Sequence, residues 1–151
     1  MGLGFELAES MTGTYHLFAA PLVSRPLRVT LTLAVNGLAR FAKRRTIAAT
    51  GTIGCEGLAT ARPVTGSVAW RLLDEKRVPY DLAFDGDDGK AYRLRGQRDF
   101  FMHNVIGSLT TMEASLYADE REIGRAVLHF EPSMELPALL KTFRPRLRLR
   151  G

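Results

Sequence analysis

Cysteine is almost missing from this 151-residue chain: Cys55 stands alone, so no internal disulfide can staple the fold. That fits a reducing cytoplasm, which is the location expected. Tryptophan is as scarce, with Trp70 the single copy. No apolar run approaches the ~18–20 residues that cross a bilayer as a helix, so no membrane span is expected. The opening Met1-Gly-Leu-Gly-Phe-Glu-Leu7 lacks the basic start and long apolar stretch of a secretion signal. Sequence signatures of chemistry are missing too. There is no Gly-x-Ser-x-Gly elbow, no phosphate loop, and no complete Gly-x-Gly-x-x-Gly fingerprint. His16, His103 and His129 are too scattered for a zinc signature. Neither a metal nor a cofactor is expected.

What is present is ordinary in bulk. Hydrophobic residues make up 46% and charged residues 25%, as in a globular protein of one domain. The net charge of +5 is concentrated at Arg40, Lys43, Arg44 and Arg45 and again at Arg144, Arg146, Arg148 and Arg150. Elsewhere the signs nearly balance. No aromatic side chains interleave the tail arginines to stack bases, so nucleic acid is not an expected partner. The expected organisation is a single antiparallel β-barrel domain over residues 1–143 with a basic tail over 144–151.

Period-two alternation is the dominant pattern. Leu27, Val29, Leu31, Leu33 and Val35 alternate with Arg28, Thr30 and Thr32, which is a half-buried strand. Val64, Gly66, Val68, Trp70 and Leu72 repeat it, as do Ile47, Ala49, Gly51 and Ile53. Further strands are expected over Phe5–Phe18 with a bend near Gly13, on both sides of Asp85–Gly89, over Thr110–Tyr117 and over Glu122–Phe130. That is about eight strands at the short spacing of a sandwich or barrel, without the helices a parallel sheet needs. The fold class expected is an all-β, lipocalin-like antiparallel barrel. A short helix is expected after Ser133, and a helical turn or loop over Asn36–Arg45.

Asp85, Asp87 and Asp88 form the nearest thing to a metal motif. A calcium loop counted from Asp85 fails at Gly89, Lys90 and Gly96, whereas Asp-Gly and Asp-Asp-Gly suit a tight hairpin turn. Cys55 has Glu56 beside it, which opposes ionisation of a nucleophilic thiol. Glu113 and His129 fall on outward phases, with His16 on a shared rim. The inward phase alternates Tyr80, Phe84, Trp70 and Leu94 with Gly51, Gly66, Gly96, Gly124 and Ala126. Such glycines either bend strands or leave room for a ligand. The residues expected to touch an apolar ligand are Trp70, Tyr80, Phe84, Tyr92 and Tyr15.

The order of motifs adds a context. "TGTIGCEGL" (Thr50–Leu58), "RPVTGSVAWRLL" (Arg62–Leu73), "YDLAFDGDDGKAYRLRGQRDF" (Tyr80–Phe100), "TTMEASLY" (Thr110–Tyr117) and "IGRAVLHFEP" (Ile123–Pro132) follow one another. Over Phe5–Phe143 this resembles the C-terminal accessory region after the flavin domain in bacterial cholesterol-oxidase-like GMC oxidoreductases. The resemblance implies a barrel associated with a lipid-active oxidoreductase. It brings no FAD and no oxidase activity, because the flavin fingerprint has no counterpart here.

Three readings follow. The barrel binds a small hydrophobic molecule without catalysis. Alternatively it is an enzyme on a lipid-like substrate, with Tyr15, Tyr80, Tyr92 and Cys55 as the inward polar groups. Or it is an interaction module with a filled core.

Overall fold

The computed structural model describes residues 4–36, 46–69, 77–99 and 111–130. They form eight strands: β1 (Gly4–Leu17), β2 (Ala20–Asn36), β3 (Thr46–Cys55), β4 (Ala59–Ala69), β5 (Arg77–Asp85), β6 (Ala91–Asp99), β7 (Thr111–Ala118) and β8 (Arg121–Phe130). Each pairs antiparallel with the next, and β8 returns to β1, so the sheet is a closed barrel without an edge strand. No helix occurs among the described residues. The expected helix after Ser133, the segment 37–45, His103 and the basic tail lie outside them.

Closure rests on the alternation read above. In β2, Leu27, Val29, Leu31 and Leu33 are buried while Arg28, Thr30 and Thr32 are exposed. The same phase carries Leu31, Val68, Leu82, Phe84, Leu94 and Leu128 into one core cluster, as expected; Trp70 lies outside the described residues. Burying each such leucine contributes about 1.5–3 kcal/mol. Asp81, Arg93, Arg95, Glu113, Arg125 and His129 lie on the outward phase. Apolar inside and polar outside is the reverse of a barrel facing lipid.

Pairing is strongly staggered. Following paired residues from Glu9 through Leu31, Gly51, Val64, Phe84, Tyr92 and Ala118 leads to Arg121. Gly124, just beyond it, faces Leu17 rather than Glu9. Strands closed with this much offset must tilt across the barrel axis. The tilt brings neighbouring backbones close, and glycine is placed where they meet. A Cβ added at Gly13, Gly51 or Gly66 would lie 1.8, 1.8 or 2.0 Å from a carbonyl oxygen of the adjacent strand. At Gly96 it would meet Ala114 Cβ at 2.9 Å and Met112 Sδ at 3.1 Å. Close approach accounts for these glycines, and a ligand is not needed to explain them. β1 runs unbroken through Gly13, which pairs with Leu27 on one side and Leu128 on the other.

The connections 18–19, 56–58, 86–90 and 119–120 all lie at one end of the barrel, which is the hairpin end. The turn at Asp119 and Glu120 has positive φ at both residues, 51° and 65°, the geometry whose twist matches paired strands.

Candidate functional site

Two groups of polar atoms penetrate the described interior, and they sit at different heights. The upper group lies under the hairpin end. Phe84 and Tyr92 face each other across β5 and β6 with stacked rings, 5.7 Å between centroids and 24° between planes. The Tyr92 hydroxyl donates to Asp88 Oδ2 at 2.7 Å, and the Tyr15 hydroxyl donates to the backbone carbonyl of Glu56. Both phenols are thereby spent on holding turns. Burial first, and then the Asp88 carboxylate, push the Tyr92 phenol up to about 12; burial also raises Tyr15. Burial alone pushes the Cys55 thiol up to about 12, so Glu56 is not the cause. At neutral pH these groups are protonated, which suits neither a nucleophile nor a base.

The aspartates close this end. Asp85, Asp87 and Asp88 are exposed; Asp87 and Asp88 lie in the expected turn, and Asp85 ends β5, paired with Ala91. Asp88 accepts from Lys90 N at 3.0 Å, a local turn bond. Asp87 does something the sequence did not reveal. It accepts from Thr60 N at 3.0 Å, Thr60 Oγ1 at 2.8 Å and Arg62 Nε at 2.9 Å, while its own N–H donates to Leu58 O at 2.9 Å. The β5–β6 turn is thus clasped to the start of β4. These hydrogen bonds hold the Asp87 carboxyl below the usual carboxylate range. No group of three or more metal-ligating side chains occurs among the described residues.

The lower group is a pair that crosses the lumen. Glu9 on β1 is the buried charged residue of the described core, 5% exposed. The Tyr80 hydroxyl on β5 donates to Glu9 Oε1 at 2.9 Å. In a ring of eight strands β1 and β5 are opposite walls, so this hydrogen bond spans the interior. The Tyr80 ring lies 5.9 Å from that of Phe130 on β8, again reaching across. Glu9 faces Leu31 along the sheet, and Tyr80 lies between Val68 and Gly96. Leu31, Val68 and the Phe130 ring are thus among the neighbours of the pair.

Of the residues expected to line a site, the structure groups Tyr15, Phe84 and Tyr92 at the hairpin end. It places Tyr80 apart from them, with Glu9. Trp70 lies outside the described residues. Glu9 was not singled out, although its phase was legible: Glu9, Met11, Gly13 and Tyr15 alternate on β1, and Met11 and Tyr15 are buried.

The outer wall has a hollow of about 750 Å³ between Thr14, His16, Asp81, Arg95, Glu113 and Arg125. Its charges are largely matched. Arg95 lies 3.6 Å from Asp81, and Arg125 lies 2.9 Å from Glu122. Asp81 Oδ1 also has Arg93 Nε at 3.1 Å, out of line for a hydrogen bond. Nothing in this hollow converges on one ligand chemistry.

Comparison with known protein families, curated proteins and solved structures yields no match to the chain.

Proposed function

We propose that the barrel holds a small, largely apolar molecule of lipid or sterol character between its walls. The observation that carries this reading is the Glu9–Tyr80 pair laid across the described interior, with Leu31, Val68 and the Phe130 ring among its neighbours. A core built only for stability gains little from it. Taking a carboxylate out of water costs on the order of several kcal/mol. An apolar pair of similar volume would fill the space without that penalty. A few placed polar groups within apolar walls are the usual lining of a small-molecule site. The resemblance to an accessory region of sterol-active oxidoreductases supports the same ligand class. On that resemblance, the barrel would hold or present an apolar substrate for a partner oxidoreductase.

The test is native mass spectrometry of freshly purified protein, followed by titration with a solvatochromic lipid probe and its displacement by cholesterol, hexadecan-1-ol and palmitate. A co-purifying lipid or saturable, displaceable binding is expected. No bound molecule and no saturable binding of any of them would leave a filled structural barrel as the better account.

A further inference from the structure

We infer that the tip of the β1–β2 hairpin docks the protein onto a membrane surface, dipping its apolar side chains into an uncharged phosphatidylcholine bilayer. Leu17 pairs with Ala20, and Tyr15 pairs with Arg25. Opposite the single residue His16, β2 therefore carries Pro21, Leu22, Val23 and Ser24, and the chain bulges out of the ladder. The protrusion reads Phe-Ala-Ala-Pro-Leu-Val over residues 18–23, six residues without a charge. Leu22 is 98% exposed, Phe18 and Val23 are each 45% exposed, and none of the six enters the core cluster. Single exposed leucines need no explanation, but a consecutive apolar run held in water does. The base of the tip is fixed. Phe18 N–H donates to Ile123 O at 2.8 Å, and the Phe18 ring lies 6.2 Å from that of His16.

Size, position and charge together name the occupant. A standard protein–protein interface takes about 20–30 residues a side, so six residues on one hairpin fall far short of what a stable dimer needs. The chain's own remainder does not start beside the tip either: Asn36, Ala69, Asp99 and Phe130, where strands lead out of the described residues, all lie at the opposite rim. A bilayer needs no matching contour, because interfacial binding scales with the apolar area buried. The other connections at the hairpin end carry Glu56, Asp87, Asp88, Asp119 and Glu120 against Lys90. That excess of acid opposes anionic headgroups and leaves apolar transfer as the attraction. The inference is independent of what the lumen holds, although a lipid-holding barrel would meet its ligand at such a surface.

The experiment is co-sedimentation of the full chain with phosphatidylcholine vesicles at about 0.15 M salt, repeated at about 1 M. Binding is expected at both, because salt does not screen apolar insertion. Leu22→Ser should weaken partitioning by roughly tenfold, the effect of losing one buried leucine side chain, and Phe18→Ser with Leu22→Ser by roughly a hundredfold. Val127→Thr alters an exposed apolar side chain on β8 away from the tip and should bind like the unmodified protein. A solvent-sensitive fluorophore on Leu22→Cys should shift to the blue when vesicles are added, with buried Cys55 left unlabelled. Circular dichroism melts verify that each variant folds. No sedimentation of the unmodified protein would overturn the inference, as would vesicle binding that the tip variants leave unchanged. Binding confined to phosphatidylserine vesicles and lost at high salt would overturn it too. Self-association abolished by Leu22→Ser, without vesicle binding, would make the occupant a second copy instead. Vesicle binding by a barrel that holds no lipid would sustain this inference and defeat the ligand reading alone.

Discussion

Gly66→Ala tests whether the barrel's inward glycines mark close backbone approach or ligand space. A Cβ at Gly66 would stand 2.0 Å from the carbonyl oxygen of Asp81 and 2.9 Å from Leu82 Cα, whereas ordinary contact begins at 3.4 Å. Both obstructing atoms are backbone, so no rotamer change relieves them. β4 and β5 would have to part by roughly 1 Å or more, at the expense of the ladder from Val64–Phe84 to Val68–Tyr80. Overpacking typically costs about 1–3 kcal/mol, and a rigid clash of this kind belongs at the upper end, about 3 kcal/mol. A domain of this size loses roughly 2–4 °C of Tm per kcal/mol, so a fall of about 6–12 °C is expected. Gly54→Ala is the control, because a Cβ there has nothing within 4 Å. Where alanine fits the backbone, replacing glycine stabilises by about 0.4–1 kcal/mol by restricting the unfolded chain. Thermal unfolding followed by far-UV circular dichroism, with urea titration to verify an unchanged m-value, separates the two variants. If Gly66→Ala melts alongside Gly54→Ala, the close-approach reasoning is wrong and the glycines do leave open volume.

Cys55 and Tyr92 set the alkaline limit. Their pKa values are pushed up to about 12 from 9.0 and 10.0, so the unfolded chain releases these protons first and stability falls as pH rises between those ordinary values and about 12. Native protein at pH 8 should accordingly leave Cys55 unmodified by a thiol-disulfide reagent until urea unfolds it; rapid stoichiometric reaction of the native chain would contradict its burial. Asp87→Asn should lower Tm at neutral pH by releasing the β5–β6 turn from Thr60 and Arg62. Because the folded carboxyl is held below its ordinary range, this contribution is present above that range and lost as pH falls through the folded value. The Tm gap between Asp87→Asn and the unmodified protein should therefore close in acid, and a gap independent of pH would show that the carboxylate's charge is irrelevant to the clasp.

The strands and their inward faces were legible because alternation is a local property. Leu27, Val29, Leu31 and Leu33 declare a buried face without reference to any partner, and a chain of many such runs with short turns has few ways to hide its edges. The Asp85–Gly89 turn was legible for the same reason, since Asp and Gly tolerate the backbone it needs. Partnership across the fold was not. Asp87 reads as a turn residue until the β4 strand places Thr60 and Arg62 beside it. Tyr15, Phe84, Tyr92 and Tyr80 look alike as inward aromatics; Tyr80 stands four residues from Phe84 along β5, and only closure of the staggered sheet brings Tyr15 to the end that holds Phe84 and Tyr92. Phase alone put Glu9 indoors with Met11 and Tyr15, but a glutamate in a strand signals nothing further on its own. Its hydrogen bond to a residue on the opposite wall exists because closure makes β1 and β5 face each other, and that distance through the lumen is set by the tilt and offset of all eight strands together.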